Sequence, residues 1–494
     1  MTHRPLHALA LAAALLVAAC GGQSDQDQLA AARAFVEKQD HRAAVIQLKS
    51  LLQRNGQLAE ARYLLGRSLL EQGEVAAAAL ELRKAADQKF DPSKVSPLLA
   101  RAMLALGEHG PLTGQFANVQ LPEAAAQADL AVSVASAFLA QNMTEQGEGA
   151  IAEALKAVPN HPPALLLQAR VLADKQEIDR ARALVEQVLK ADANSGDAWM
   201  LKGELALNID KDRKAAIAAF QKAVTANPML LQAHVAVVTT LFLEGDAATA
   251  TAQVAEMKKR FPNHPRTKFF EAELAFNAKD YKAAREHIRP VVQALPNNAL
   301  ALQLAGAAEF RLGSVGQAET YLSKALQLAP DLPIARRMLA QVYLRTGQPQ
   351  KTLAMLDPML AKSPGPGALQ LAAEAHLQMG DSAKAEKLYE QAAKIKPDDP
   401  RIRTALALSQ YGKGKTDSAI AELENIAGKD SGALADLALV SAHLRKKEFD
   451  KALKAIEALE KKQPDKPLAA MLRGRVLVLK KDAAGARAQF QKAL

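Results

Sequence analysis

The sequence contains one cysteine in 494 residues, few aromatic residues and few of the β-branched clusters that form strands. A single cysteine excludes an internal disulfide, so the fold must be stabilised by packing. Aromatic residues make up 4% of the chain, whereas apolar residues as a whole make up 49% and are mostly alanine and leucine. Because alanine and leucine favour helices, the composition predicts an elongated all-α array rather than several compact domains.

The motifs of common catalytic sites are also missing. The chain has ten histidines, but the HExxH pattern of zinc peptidases is absent, and the pair His3 and His7 lies in the predicted signal peptide. GxSxG and GxxxxGK[ST] do not occur, and the GKGK segment at 412–415 has no preceding strand, which indicates a turn between helices. We therefore predict no enzyme, no catalytic residue, no metal and no cofactor.

Residues 1–19 resemble a bacterial lipoprotein signal peptide. Arg4 supplies a positive charge, and an apolar stretch ends in Val-Ala-Ala directly before the cysteine, as in a lipobox. This stretch is shorter than the roughly 20 residues that a membrane-spanning helix needs. We predict cleavage between Ala19 and Cys20, lipidation of Cys20, and a lipidated linker over 20–26. The alternative is an ordinary signal peptide whose removal leaves Cys20 as a free thiol.

The net charge is +10, and much of it lies in the last quarter of the chain. Residues 380–494 contain 23 lysines and arginines against 16 aspartates and glutamates. An exported lipoprotein meets no nucleic acid, so we predict no nucleic-acid partner. A basic surface then favours an anionic polysaccharide, lipid head groups or an acidic protein. Ordinary solvated helix faces are the alternative.

Prolines recur at a fixed period along the chain. Pro228, Pro262, Pro296, Pro330 and Pro364 are spaced by 34 residues, and a further proline follows at 397, one residue early. Each follows an Ala/Leu-rich helical pattern and closes it, because proline lacks the N–H and clashes with the preceding turn. A fixed period of this length is typical of helical repeat arrays.

Within one period, the residues resemble the tetratricopeptide repeat (TPR). Gly203, Ala216, Phe220, Ala223 and Pro228 show the family's order of small, Ala, large, Ala and Pro positions. The small residues let two antiparallel helices approach closely, and the large residue fills the gap to the neighbouring unit. The resemblance implies a right-handed superhelical solenoid of antiparallel helix pairs with about fourteen repeats. Another type of helical solenoid is the alternative.

The repeats extend over nearly the whole chain after residue 26. We assign residues 27–121 to amino-terminal TPR-like repeats and residues 122–494 to a TPR array whose last repeat is incomplete. Because an open end needs a polar capping helix, we expect the natural protein to continue beyond Leu494. Prolines and glycine interrupt the pattern between Gly107 and Glu123, where we expect a kink or a longer loop.

TPR arrays bind their partners in a concave groove that the first helix of each pair lines. The resemblance implies that positions such as 2, 5, 9 and 12 of the repeat face this groove. As a set, these positions predict the binding wall, although any single one could be an ordinary solvated residue. They include Glu60, Tyr63, Arg67, Arg337, Gln341 and Glu374.

The amino-terminal repeats resemble a narrower group. The segments AAVIQLK at 43–49, EARYLLGR at 60–67 and PLLARA at 97–102 are similar to the TPR lipoproteins of the PEP-CTERM/exosortase system. This resemblance implies a scaffold in the Gram-negative cell envelope, associated with exopolysaccharide production and protein sorting.

The first function hypothesis is therefore a lipid-anchored, periplasm-facing scaffold that binds protein partners of an exopolysaccharide, protein-sorting or export system. Gly21 and Gly22 follow Cys20 without the aspartate that marks inner-membrane retention, so the outer membrane is favoured. One alternative is direct binding of an anionic polysaccharide through the basic carboxyl-terminal quarter. Another is a role as an outer-membrane assembly adaptor.

Overall fold

A computed structural model describes residues 24–362 and 364–494, and no strand occurs among them. These residues form 28 helices arranged as fourteen pairs, in which the odd-numbered helix comes first. The predicted all-α array of helix pairs is confirmed. Cys20 and the predicted signal peptide lie outside the described residues.

The helices have the following bounds: α1 Asp25–Glu37, α2 His41–Arg54, α3 Ala59–Glu71, α4 Val75–Asp87, α5 Pro92–Ala105, α6 His109–Phe116, α7 Ala124–Ala140, α8 Thr144–Ala157, α9 Pro162–Asp174, α10 Ile178–Ala191, α11 Gly196–Asn208, α12 Arg213–Ala226, α13 Leu231–Glu244, α14 Ala247–Arg260, α15 Pro265–Asn277, α16 Tyr281–Ala294, α17 Ala299–Leu312, α18 Val315–Leu328, α19 Pro333–Arg345, α20 Pro349–Lys362, α21 Pro366–Gln378, α22 Ser382–Ile395, α23 Pro400–Gly412, α24 Thr416–Lys429, α25 Leu434–Arg445, α26 Phe449–Lys462, α27 Leu468–Leu479 and α28 Ala483–Lys492.

The chain divides into two compact units, residues up to Gln253 and residues from Val254 onward. Within each unit, most consecutive helices pack against each other, and several neighbouring first helices, such as α19 and α21, also contact one another. In each unit, the first helices therefore form one layer, and the second helices form a second layer over it. The proposed distinction between residues 27–121 and 122–494 concerns the quality of the repeats and stays a prediction.

Close packing inside a pair depends on a small residue in the first helix. A Cβ atom added at Gly203 would lie 2.4 Å from Cε1 of Phe220, and one added at Gly306 would lie 2.6 Å from Cγ of Leu322. Both large side chains are buried. The large residue, which the sequence places toward the neighbouring unit, thus also packs directly on the small residue of its own pair.

The stretch between Gly107 and Glu123, where prolines interrupt the repeat pattern, contains a short helix and a longer loop. Helix α6 has only 8 residues, and residues 117–123 connect it to α7. Leu112 and Phe116 of α6 are nevertheless buried in the core. The expected longer loop is therefore present, and the short helix still covers its neighbours.

The turn inside a pair requires a residue in the left-handed conformation. Gly347 and Gly380 fill this position with φ of 70° and 82°, but Lys447 fills it with φ of 60°. A side chain in this region costs about 1 kcal/mol or more, because Cβ approaches the following carbonyl oxygen.

Replacing Lys447 with glycine should therefore raise the free energy of unfolding by about 1 kcal/mol. Urea denaturation of the full chain, together with hydrogen exchange of α25 and α26, measures the change. The reverse substitution Gly347→Lys should destabilise by a similar amount. A destabilising effect of Lys447→Gly would contradict the explanation by strain.

Among the residues that the structure describes, no helix is long and apolar enough to cross a membrane. The same residues contain no cluster of three or more histidine, cysteine, aspartate or glutamate side chains placed to hold a metal ion.

Candidate binding groove

First helices of the second unit line a groove with a volume of about 780 Å³, which we call the arginine groove. Five helices contribute, from α15 to α23, and all of them are first helices of their pairs. The lining combines cationic, amide and aromatic side chains. Its residues include Phe276, Phe310, Arg311, Ile334, Arg337, Gln341, Arg345, Gln370, Glu374, Gln378 and Arg401.

Helical periodicity explains why these residues share one surface. Arg337 and Gln341 are the fifth and ninth residues of α19, and Gln370 and Glu374 are the fifth and ninth residues of α21. Residues four apart lie on the same face of a helix, one turn above the other. Neighbouring first helices pack side by side and so place these faces next to each other.

The groove carries an excess of positive charge. Arg311, Arg337, Arg345 and Arg401 are exposed, and none of them forms an ion pair with a carboxylate of the described residues. The guanidinium group of Arg345 lies 5.7 Å from the ring centre of Phe310, close enough for a cation–π interaction. These four cations are therefore available to an acidic ligand.

Glu374 is the one acidic residue of the lining. Burial raises the pKa of this carboxyl group, while the Gln370 side chain and the charge of Arg401 act in the opposite direction. Nε2 of Gln370 donates a hydrogen bond to Oε1 of Glu374 at 3.0 Å. Glu374 therefore offsets only part of the positive charge and adds a hydrogen-bonding group to the wall.

A second cavity of about 650 Å³ continues the arginine groove and shares Gln370, Glu374 and Arg401 with it. The exposed side chains of Leu377, Leu408 and Leu434 give it an apolar side. A ligand that extends along α21 and α23 would thus meet cations first and apolar side chains next.

Two buried side chains with hydroxyl groups, Tyr389 and Thr404, lie in the wall of this second cavity. Thr404 is buried, and its Oγ1 has no hydrogen-bond partner among the described residues. Burial, and next the charge of Glu374, raise the pKa of the Tyr389 hydroxyl. Unsatisfied buried hydroxyls are rare, so Thr404 offers a hydrogen bond that a ligand could complete.

Of the six predicted wall residues, Arg337, Gln341 and Glu374 lie together in the arginine groove. The other three belong to the first unit. There Tyr63 stacks on Phe90 with ring centres 5.1 Å apart, and Arg67 is exposed. Whether any of these residues binds a partner stays a prediction.

In the first unit, several charged residues of the first helices form ion pairs with the neighbouring first helix. Glu60 accepts two hydrogen bonds from Arg33, at 2.6 Å from Nε and 2.5 Å from Nη2. Glu71 pairs with Arg101 at 2.8 Å, and Glu204 pairs with Arg170. Glu60 is thus already engaged within the protein, whereas the four arginines of the arginine groove have no such partner among the described residues.

Sequence reasoning missed Phe276, Phe310, Arg311, Arg345, Gln370 and Arg401. Four of them lie at repeat positions 2, 5 or 12: Arg401 is the second residue of α23, Gln370 is the fifth residue of α21, and Phe276 and Phe310 are the twelfth residues of α15 and α17. Applying the groove positions to every repeat would have found all four. Arg311 and Arg345 are the thirteenth residues of α17 and α19, one residue beyond the positions that the family resemblance assigns to the groove.

Two family models described as tetratricopeptide repeat match the chain. One matches residues 29–94, 134–186, 166–228, 269–333 and 437–494, which is more than half of the chain. The other matches residues 309–364 and 345–408. The chain belongs to the tetratricopeptide repeat family. The arginine groove is therefore formed by the layer of first helices, where the family's partners were expected to bind.

Part of this TPR chain is similar in sequence to a known protein. It is 25% identical over 316 residues to cellulose synthase operon protein C of Pseudomonas fluorescens (strain SBW25), a match that covers 58% of the chain and 24% of that protein. The chain thus spans about a quarter of the length of this curated relative.

Two solved structures are similar at low identity. The crystal structure of the APC/C hetero-tetramer Cut9–Hcn1 matches with 15% identity and a TM-score of 0.41, over 96% of this chain and 94% of that one. PilF of Pseudomonas aeruginosa matches with 19% identity and a TM-score of 0.38, over 44% of this chain and 97% of that one.

Proposed function

We propose that this TPR protein is a non-catalytic scaffold that binds an acidic, extended segment of a protein partner in the arginine groove. The observation that carries this proposal is the set of four exposed arginines without an ion-pair partner among the described residues, gathered around one groove. Hydrogen bonds from arginine to carboxylate are among the strongest available to a protein surface.

The mixed chemistry of the groove favours a protein segment over a purely anionic polymer. Phe276, Phe310 and Ile334 lie among the arginines, and three leucines line the adjoining cavity. Apolar and aromatic anchors of this kind are typical of protein–protein recognition. An anionic polysaccharide would use the arginines but would leave these apolar side chains uncovered.

We further propose that the scaffold works in the cell envelope, held by lipid at Cys20 and favouring the outer membrane. Two observations support this context: the lipobox-like residues before Cys20, and the similarity to a protein whose name refers to a cellulose synthase operon. Within this context, the PEP-CTERM/exosortase resemblance makes an exopolysaccharide or protein-sorting system the proposed partner system.

A photo-crosslinking residue at Gln341 tests the groove in living cells. We expect a protein adduct whose crosslinked segment is acidic. The same residue at Lys454, an exposed position on second helix α26, is the control and should give no such adduct. An adduct of equal yield at both positions would contradict binding in the groove.

Removing two groove cations by Arg337→Ala and Arg401→Ala should lower the yield of this adduct at least tenfold. Each charge-assisted hydrogen bond contributes about 1.5–3 kcal/mol, and about 1.4 kcal/mol corresponds to a factor of ten. The matched control is Lys387→Ala with Lys394→Ala, which removes the same charge from exposed positions on α22. Equal losses in both double variants would show general charge attraction. Binding only of purified anionic polysaccharide would support the alternative function.

A further inference from the structure

A separate cavity of about 530 Å³ opens between the second helices α16 and α18. Ala305 and Glu309 of first helix α17 form its floor, and Ile288 and Val292 of α16 form an apolar side. None of these residues lines the arginine groove. The cavity is thus a different site, on the layer of second helices.

Glu309 is an exceptional residue at this floor. Glu309 is 4% exposed, and its Oε2 has no hydrogen-bond partner among the described residues. Glu309 is the eleventh residue of its helix, a position that Leu69, Leu172 and Leu241 occupy in other first helices. A buried polar group without a partner costs free energy, so an unsatisfied carboxyl group at an apolar position indicates a role in binding.

The rim of the cavity carries charges of both signs. Arg285, Glu286 and Arg289 are exposed on α16, and none of the three forms an ion pair with another described residue. With Glu309 at the floor, two arginines face two carboxyl-bearing residues. A ligand without net charge that both donates and accepts hydrogen bonds therefore fits better than a strong anion or cation.

The remaining wall residues restrict further the class of ligand that fits the cavity. Gln293 and Gln317 offer amide donors and acceptors, and Tyr321 presents an aromatic ring and a hydroxyl group. Apolar side chains on one side and hydrogen-bonding groups on the others suit a ring that has a C–H face and a rim of hydroxyl groups. The volume lies within the range of small-molecule sites, about 300–1,000 Å³.

We propose that this cavity binds one or two residues of a neutral, hydroxyl-rich sugar chain, with Glu309 accepting hydrogen bonds from sugar hydroxyl groups. An ammonium group is disfavoured because it would pass the two arginines at the rim and lose its hydration at the floor. A carboxylate is disfavoured because it would meet Glu309. The site goes beyond the proposed function, since it involves other residues and another class of ligand.

Titration calorimetry of the purified full chain with a β-1,4-linked glucose tetramer tests the site. The tetramer should bind, and Glu309→Leu should raise its Kd at least tenfold. Leucine occupies the equivalent position in other repeats, so this variant should fold with an unchanged or higher thermal midpoint. The arginine-groove variant Arg337→Ala with Arg401→Ala should bind the tetramer as the unchanged protein does, which separates this site from the proposed function.

Three outcomes would overturn the proposal: no binding of the glucose tetramer, equal binding by Glu309→Leu, or tighter binding of the matching glucosamine or glucuronate tetramer. Hydrogen exchange of the unchanged protein tests the same site without any variant. Saturating glucose tetramer should slow hydrogen exchange in α16, α17 and α18, and slowing confined to other helices would also refute the site.

Discussion

Replacing Phe220 with alanine should lower the free energy of unfolding by about 3–5 kcal/mol, the cost typical of deleting a buried phenylalanine side chain. Phe220 is 1% exposed, and its ring fills the space beside Gly203 that admits no additional atom. Because protein interiors are close-packed, the surrounding side chains would fill the resulting cavity only in part. Denaturation followed by the fluorescence of Trp199, four residues before Gly203 in α11, reports on this pair directly.

The chain contains its own control for this prediction. Gly474 and Phe490 repeat the same contact in the last helix pair, where an added Cβ would lie 2.6 Å from Cε1 of the ring. Phe490, however, is 38% exposed. Phe490→Ala should therefore cost clearly less than Phe220→Ala. Equal costs would mean that the contact inside a pair, rather than burial by the neighbouring pair, determines stability.

Replacing Cys20 with serine should move the protein from the membrane fraction to the soluble fraction without unfolding it. Acyl chains contribute about 0.8 kcal/mol for each buried CH₂ group, so their loss removes the attachment that we propose. Cell fractionation followed by immunoblotting measures the distribution, and circular dichroism checks that the helices persist.

Two further variants sharpen this experiment. Gly22→Ala leaves the cysteine in place and should remain in the membrane fraction. Gly21→Asp supplies the missing aspartate and should move the protein from the outer to the inner membrane. Continued attachment of the Cys20→Ser variant would contradict lipidation as the anchor.

Much of the local structure could be predicted because it depends on short-range interactions. The proline period located the boundaries between pairs, and turn residues such as Gly347 and Gly380 adopt the left-handed conformation that ends a first helix. The close approach of the two helices at small residues such as Gly203 also followed from the repeat. Each of these features involves residues within one repeat, where chain connectivity already keeps the partners close.

The candidate site was predictable only in part. Arg337, Gln341 and Glu374 stand at repeat positions that face the first-helix layer, and the structure places them in one groove. The repeat did not indicate which charges remain unpaired. Arg33 and Arg337 both project from first helices, yet only Arg33 has an acidic partner, Glu60, on the next first helix within the described residues.

The sequence by itself determined the helical class, the repeat length, the helix ends and the positions of the small residues that let the helices of a pair approach closely, because these depend on backbone preferences and on neighbours along the chain. Only the tertiary structure decided that arginines 311, 337, 345 and 401 share one groove and that Glu309 is buried beside a cavity. These properties depend on distances between residues of different repeats. Such distances arise from the packing of helices against one another, which no single repeat encodes.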